Sequence, residues 1–188
     1  MSTLKEIQAI LSKNANAAAA EACRKFVPSA QKVYGIRMPV LNGIARQVKE
    51  DHLSLAVQLW SSGAFEERVL AGKLIGRGAH KDPQRALKLI EKFSKDITDW
   101  AVCDTLGMQA PKKINKSQAK EIFAISNKLI RSKNPWQRRL ALVLSEWYTR
   151  DKSFHPAIRK LMDAVKNDEE HYVKMAVKWI NRNFEKRK

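Results

Sequence analysis

Two residues four positions apart, Trp100 and Asp104, combine an aromatic face with a carboxylate. On a helix this spacing places them about one turn from each other on the same face. The face of an indole ring attracts cations, and a carboxylate stabilises positive charge that develops beside it. The pair is therefore suited to holding a positively charged group, although the same two residue types at this spacing also occur in ordinary packed helices.

Helices are the elements that must position this pair, because apolar residues follow helical periodicity nearly throughout the chain. Glycine and proline are few, at 7 and 6 of 188 residues, and no segment shows the sustained alternation of a β-strand. Capping signals mark helix starts at Asp51 and at Asp82, which is followed by Pro83. The sequence predicts an all-α protein in which residues 27–39 are the least helical segment.

Aromatic residues recur near the starts of four predicted helices. Spacings of 35, 36 and 36 residues separate Phe65, Trp100, Trp136 and Tyr172. A further helix lies between consecutive members, and a two-helix unit of this length is typical of HEAT-like α-solenoids. We therefore predict a curved HEAT-like helical-repeat solenoid with a basic concave face, forming a single domain over residues 1–188. The alternative is chance spacing of aromatic residues among the helices of a bundle.

The net charge indicates the kind of partner. Thirty-six Lys and Arg residues against 19 Asp and Glu residues give a formal charge of +17. Charge of this sign and size favours an acidic polymer as partner, with nucleic acid ahead of an anionic membrane or an acidic protein. A soluble basic protein without such a partner is the remaining alternative.

The sequence shows no features of a membrane-spanning protein, a secreted protein or a metal-binding protein. No stretch approaches the ~18 apolar residues of a membrane span, and the first residues lack the pattern of a signal peptide. Cys23, Cys103 and the scattered histidines show no metal-ligand spacing. We therefore expect a cytoplasmic protein with no metal, no cofactor and no membrane contact. By default Trp60 and Trp147 are expected to lie in the core, and so are four methionines: Met38, Met108, Met162 and Met175.

In several predicted repeats, a side chain follows the aromatic residue at a spacing that places both on the same face of the helix. Arg139 follows Trp136 by three residues and Trp179 follows Tyr172 by seven, so each shares the face of its aromatic residue. If the repeat helices are roughly parallel, one patch contains Trp100, Asp104, Arg139 and Trp179. Each of these residues has an ordinary role in packing or surface charge, but their co-occurrence at one repeat phase favours a functional site.

Five short motifs follow one another along the chain: "YGIRMPVLNGIAR", "LWSSGAFEERVLAG", "DWAVCDTLG", "NPWQRRLALVL" and "YVKMAVKWINR". Their order and separations resemble the AlkD-like DNA glycosylases of the DNA alkylation repair family. The resemblance implies a helical-repeat fold that hydrolyses the N-glycosidic bond of alkylated purines in duplex DNA. Where the family often has a tryptophan before and an aspartate after the first site tryptophan, this chain has Asp99 and Ala101.

The resemblance also implies roles for individual residues. Asp104 matches the family's catalytic carboxylate, and Trp100 and Trp179 resemble its two site tryptophans. Arg139 matches the arginine that holds the DNA backbone at the lesion, and Arg182 matches a further phosphate contact. The wider phosphate footprint is expected to include Arg37, Arg46, Lys112, Lys113, Lys174 and Lys178. The implied partner is double-stranded DNA containing alkylated purines, bound by a monomer.

The chemistry of the implied reaction suits these residue types. Alkylation at N3 or N7 makes a purine cationic and a good leaving group, and the glycosidic bond then breaks through an oxocarbenium-like sugar. An ionised Asp104 would stabilise that charge, while Trp100 and Trp179 hold the cationic nucleoside. Two alternatives remain: a non-catalytic DNA-binding protein of the same family, and a protein-interaction solenoid with an acidic partner.

Overall fold

Eleven α-helices and four short 3₁₀ turns make up the regular structure of the described part of the chain. The computed structural model describes residues 3–49, 51–114 and 116–186, and no β-strand occurs among them. The helices are α1 (Leu4–Lys13), α2 (Ala17–Phe26), α3 (Met38–Gln47), α4 (His52–Ser62), α5 (Phe65–Gly78), α6 (Pro83–Phe93), α7 (Trp100–Gln109), α8 (Ala119–Leu129), α9 (Pro135–Glu146), α10 (His155–Ala164) and α11 (His171–Glu185). The prediction of an all-α protein is confirmed. None of the helices in the described ranges combines the length and the hydropathy of a membrane-spanning segment.

Side-chain caps begin two helices where the sequence indicates them. The carboxylate of Asp51 accepts a hydrogen bond from the backbone N–H of Ser54 at 3.0 Å, and α4 begins at the next residue. The carboxylate of Asp82 accepts from the N–H of Arg85 at 2.9 Å, and Pro83 occupies the first turn of α6. Both caps satisfy N–H groups that a helix leaves without an internal partner.

From α4 onwards the helices form two layers. Helices α5, α7, α9 and α11 pack side by side in one layer, and α4, α6, α8 and α10 form the other. Neighbours in the first layer run parallel, since Gly72 lies against Leu106 and, one turn later, Gly76 lies against Gln109. Corresponding contacts join α7 to α9 and α9 to α11. The glycines permit this approach, because a Cβ at Gly76 would lie 2.4 Å from the Cβ of Gln109.

One cluster of buried apolar side chains extends from α1 to α11. Trp60 belongs to it, at 4% exposure and stacked on Phe93 with ring centroids 4.3 Å apart, so its core assignment is confirmed. Trp147 is only partly buried against this cluster. The core assignments of Met38 and Met175 are wrong, because these residues are 42% and 41% exposed, whereas Met162 is buried at 9% exposure. Met175 lies on a face of α11 that is open to solvent in the described part of the chain.

A buried carboxylate holds the irregular segment between α2 and α3. Glu66, which is 1% exposed, accepts hydrogen bonds from the backbone N–H groups of Tyr34 at 2.9 Å, Gly35 at 2.7 Å and Ile36 at 3.1 Å. Gly35 has a φ of +78°, and a Cβ there would lie 2.1 Å from the carbonyl oxygen of Asn16. This position therefore requires glycine for both its backbone conformation and its space.

Replacing Gly35 by alanine is expected to destabilise the protein by at least about 1–3 kcal/mol, the cost of a left-handed backbone at a non-glycine residue, because the methyl group also collides with backbone. Gly43→Ala is the matched control, since a Cβ at this position inside α3 meets nothing within 4 Å. The control should stabilise the protein by about 0.5–1 kcal/mol. Urea unfolding followed by circular dichroism measures both; a Gly35→Ala protein as stable as the wild type would contradict this loop geometry.

Candidate active site

A cleft of about 330 Å³ lies on the exposed face of the row formed by α7, α9 and α11. Its lining residues are Trp100, Asp104, Arg139, His171, Tyr172, Met175, Trp179 and Arg182. Three parallel helices contribute to it, because the spacing of 35 or 36 residues places equivalent turns side by side. The structure thus brings together all four side chains of the predicted patch.

An ion pair between α7 and α9 lies in this cleft. Arg139 donates from Nε to Oδ1 of Asp104 at 2.9 Å and from Nη2 to Oδ2 at 2.8 Å. The Asp104 side chain is 21% exposed and the Arg139 side chain is 8% exposed. The carboxylate is therefore the more exposed partner of the pair, and both side chains line the cleft.

Two opposing influences act on the pKa of Asp104. The pKa of Asp104 is raised above its ordinary value, because the effect of burial outweighs the lowering by the hydrogen bonds and the positive charge of Arg139. Arg139 gives the carboxylate a positively charged partner within the cleft. With a guanidinium bonded to both of its oxygens, the carboxylate is suited to acting through its charge.

Contacts from two directions hold Trp100 at the start of α7. Asp99, which is 6% exposed, caps the helix by accepting a hydrogen bond from the N–H of Val102 at 2.8 Å. The indole Nε1 of Trp100 donates to the carbonyl of Phe26, the last residue of α2, at 3.3 Å. The indole remains 38% exposed, so Trp100 combines a fixed orientation with access to solvent.

Helix α11 forms the other side of the cleft. Tyr172 packs on Trp136 of α9 with ring centroids 4.8 Å apart. Just before α11, Asp168 accepts hydrogen bonds from Nε of Arg138 at 2.5 Å and from its Nη2 at 3.1 Å, and both side chains are largely buried. These contacts fix α11, and with it Trp179, relative to α9.

The remaining predicted DNA contacts lie at different distances from the cleft. Arg182 lines it, and Lys174 and Lys178 are exposed on the same helix, α11. Arg37 and Arg46 are exposed at the start and in the last turn of α3, outside the cleft lining. Their contacts with DNA stay predictions.

Some features of the cleft are not predicted from the sequence. Arg139, predicted to hold a DNA phosphate, is bound here to Asp104 and donates a third hydrogen bond to a backbone carbonyl of α11. The phosphate contact of Arg139 stays a prediction. The ion pair has a signal in the sequence, because Asp104 and Arg139 carry opposite charges and are separated by one repeat length. His171 and Met175 also line the cleft. Their signal is spacing, because with Trp179 they occupy successive turns on one face of α11.

The sequence model of the family described as DNA alkylation repair enzyme matches residues 7–188. The chain belongs to this family. The match covers every residue that lines the cleft, and membership in the DNA alkylation repair family indicates a DNA repair enzyme. A search of curated proteins gave no match.

Proposed function

We propose that this member of the DNA alkylation repair family is a DNA glycosylase of the AlkD-like type, which hydrolyses the N-glycosidic bond of cationic N3- or N7-alkylated purines in duplex DNA. The observation that carries the proposal is the Asp104 carboxylate, held by two hydrogen bonds from Arg139 in a cleft with exposed aromatic residues. Family membership supports alkylated DNA as the substrate class.

Asp104 acts as an ionised stabiliser of the reacting sugar. Loss of a cationic purine leaves positive charge at the anomeric carbon. The carboxylate lines the cleft and is the more exposed partner of the ion pair, so it lowers the free energy of that charge in a partly desolvated site. Hydrogen bonds from Arg139 hold the carboxylate in place before the reaction, and its remaining lone pairs can orient the attacking water.

Trp100 and Trp179 hold the damaged nucleoside. A cation on an indole face gains about 0.5–2 kcal/mol, depending on desolvation, and an uncharged purine gains less. The aromatic residues of the cleft therefore favour lesions that carry positive charge. The same charge makes the lesion a good leaving group, so binding and reactivity select the same substrates.

The remaining contacts hold the DNA backbone. The row of parallel helices supports a HEAT-like superhelix whose concave face carries the cleft, and the formal charge of +17 supports a polyanionic partner. Arg182, Lys174 and Lys178 contact phosphates beside the lesion, and Arg37 and Arg46 extend the footprint towards α3. A monomer is sufficient, since one chain supplies every residue of the cleft.

The test of the proposed function is release of 7-methylguanine from a duplex that carries it at one position. The protein should release the free base well above the spontaneous rate, and should release 8-oxoguanine, an uncharged lesion, much more slowly. Binding of the duplex without base release would favour the non-catalytic DNA-binding alternative. A protein with no affinity for DNA at low salt would instead favour the interaction scaffold.

Replacing Trp179 by leucine is expected to slow release of 7-methylguanine by about two- to thirty-fold, which corresponds to the loss of one cation–π contact. Leucine keeps an apolar side chain but removes the negative face of the ring. Trp179→Phe should retain part of the rate, because phenylalanine keeps a weaker ring quadrupole. Single-turnover kinetics at saturating protein measure both variants. Equal rates for Trp179→Leu and the wild type would contradict the aromatic role.

A further inference from the structure

A second group of cations lies where α7 and α9 end, at the opposite end of these helices from Trp100. We call it the basic cluster: Lys73 on α5, Lys112 after α7, and Arg150 in the 3₁₀ turn after α9. The Nζ of Lys112 lies 5.8 Å from the ring centroid of Trp147, and the guanidinium carbon of Arg150 lies 4.1 Å from it. One indole thus holds two cations that belong to different helical units.

The protein neutralises the basic cluster only in part. Arg150 pairs with Glu146 at 3.4 Å, and that carboxylate also accepts a hydrogen bond from Asn183 at 2.9 Å. No carboxylate in the described ranges forms an ion pair with Lys73 or Lys112. Burial, and then the charge of Lys112, lowers the pKa of Lys73 from its ordinary value. Like charges held together in this way favour binding of an anion from outside the protein.

Trp147 restricts two side chains of the basic cluster before an anion binds. The sequence predicts a core residue at this position, but the ring is only partly buried, and the cations lie over it. Cation–π contacts restrict the flexible side chains of Lys112 and Arg150, so less side-chain entropy is lost when a ligand binds. Lys112 remains exposed, and Arg150 retains 39% of its side-chain exposure, so both are accessible.

We propose that the basic cluster binds phosphates of the DNA backbone at a fixed distance from the damaged nucleotide, an inference that rests on the proposed binding of duplex DNA. Helix α7 has 10 residues, and a rise of about 1.5 Å per residue places the cluster roughly 15 Å from Trp100, at the far end of the cleft, and closer to Asp104. Since phosphates of one strand recur about every 3.4 Å along the duplex axis, the contacts fall within roughly five nucleotides of the lesion. Phosphate contacts at the cleft and at the basic cluster together orient the duplex so that the lesion faces Asp104.

The first test compares two charge-matched double variants. Lys112→Gln with Arg150→Gln removes two cations from the basic cluster, and Lys88→Gln with Lys160→Gln removes two exposed cations from the outer helices α6 and α10. The slope of log affinity against log salt should fall by about 0.9 for each lost phosphate contact in the cluster variant alone. At about 0.1 M salt its affinity should fall roughly tenfold per contact.

The single variant Lys112→Gln keeps the test interpretable, because Lys112 forms no ion pair in the described ranges and its loss leaves Glu146 paired. Thermal unfolding checks that each variant is folded. Cluster variants that bind DNA with the same salt slope and affinity as the outer-helix control would overturn the proposal.

The second test identifies the contacted strand. Uncharged methylphosphonate linkages replace phosphates within about five nucleotides of the lesion, in one strand at a time. Neutral linkages at the contacted phosphates should weaken binding by the wild type but not by Lys112→Gln. Equal weakening of both proteins at every position in both strands would overturn the inference. Base release by the wild type tests the proposed function separately. If the wild type binds DNA and releases the base, but the cluster variants bind like the control, only the proposed role of the basic cluster is contradicted. If the wild type does not bind DNA, both that role and the proposed function are contradicted.

Discussion

Asp104→Asn is expected to lower the rate of 7-methylguanine release by about 10²- to 10³-fold at saturating protein, the range for loss of one preorganised electrostatic group. Asparagine keeps the shape of the side chain but removes the negative charge that faces the developing sugar cation. Affinity for the duplex should stay the same or increase, because the change also removes a negative charge from a surface that binds a polyanion. Single-turnover rates and equilibrium binding, measured on the same preparation, separate the two effects.

The matched control is Asp163→Asn, the same substitution at an exposed position on α10, away from the cleft. Its rate should equal that of the wild type. Asp104→Asn also leaves Arg139 without its carboxylate partner, so the double variant Asp104→Asn with Arg139→Gln, which removes both charges, is compared by thermal unfolding. A folded Asp104→Asn protein with the wild-type rate would show that another group stabilises the reaction.

Arg139→Gln is expected to destabilise the protein by about 2–3 kcal/mol at neutral pH. Breaking a fully buried ion pair costs about 3–5 kcal/mol, and the smaller figure follows because the Asp104 side chain is 21% exposed. The cause is the carboxylate left behind, which is ionised and partly desolvated without its counter-ion. Urea unfolding at neutral pH measures the loss.

The same variant should show a characteristic pH dependence of stability. Without Arg139, burial acts unopposed and raises the pKa of Asp104 further. Between the ordinary aspartate pKa of about 3.9 and the raised value, the folded variant binds a proton that the unfolded chain does not, so its stability falls as pH rises. The deficit relative to the wild type should therefore be full at neutral pH and shrink as pH falls towards about 4.

The pH profile of base release gives an independent readout of the same ion pair. Because the reaction requires the ionised carboxylate, Arg139→Gln should lose activity at a higher pH than the wild type as the solution is made more acidic. The double variant Asp104→Asn with Arg139→Gln lacks the titrating group, so its stability should not show this pH dependence. A deficit in Arg139→Gln that stays constant from neutral pH to about 4 would contradict the assigned pairing.

Residue spacing alone predicts the main geometry of the cleft. The separations of 35 and 36 residues place Trp100, Arg139 and Trp179 on neighbouring parallel helices, as the structure shows. Helix starts at Asp51 and Asp82 follow from local capping chemistry, which depends only on residues a few positions apart. These features are local or periodic, so they can be recognised without knowledge of how the layers pack.

Features that depend on contacts between helices are less predictable from the sequence. Asp104 and Arg139 pair directly because α7 and α9 approach closely, and that distance depends on small residues such as Gly107, where a Cβ would lie 2.7 Å from Val143. Met175 is an apolar residue, as most core residues are, but lies on a face of α11 that is open in the described part of the chain. Whether an apolar residue is covered depends on which helix packs beside it, and spacing within one helix does not contain that information.

The most direct measurement for the proposed glycosylase is the mass of both products from a single-turnover reaction on a duplex with one 7-methylguanine. Hydrolysis of the glycosidic bond, assisted by the Asp104 carboxylate, predicts free 7-methylguanine together with a strand that contains an abasic site, and both should be strongly reduced with Asp104→Asn. A strand that has lost only its methyl group, or a strand that remains unchanged beyond spontaneous depurination, would contradict it.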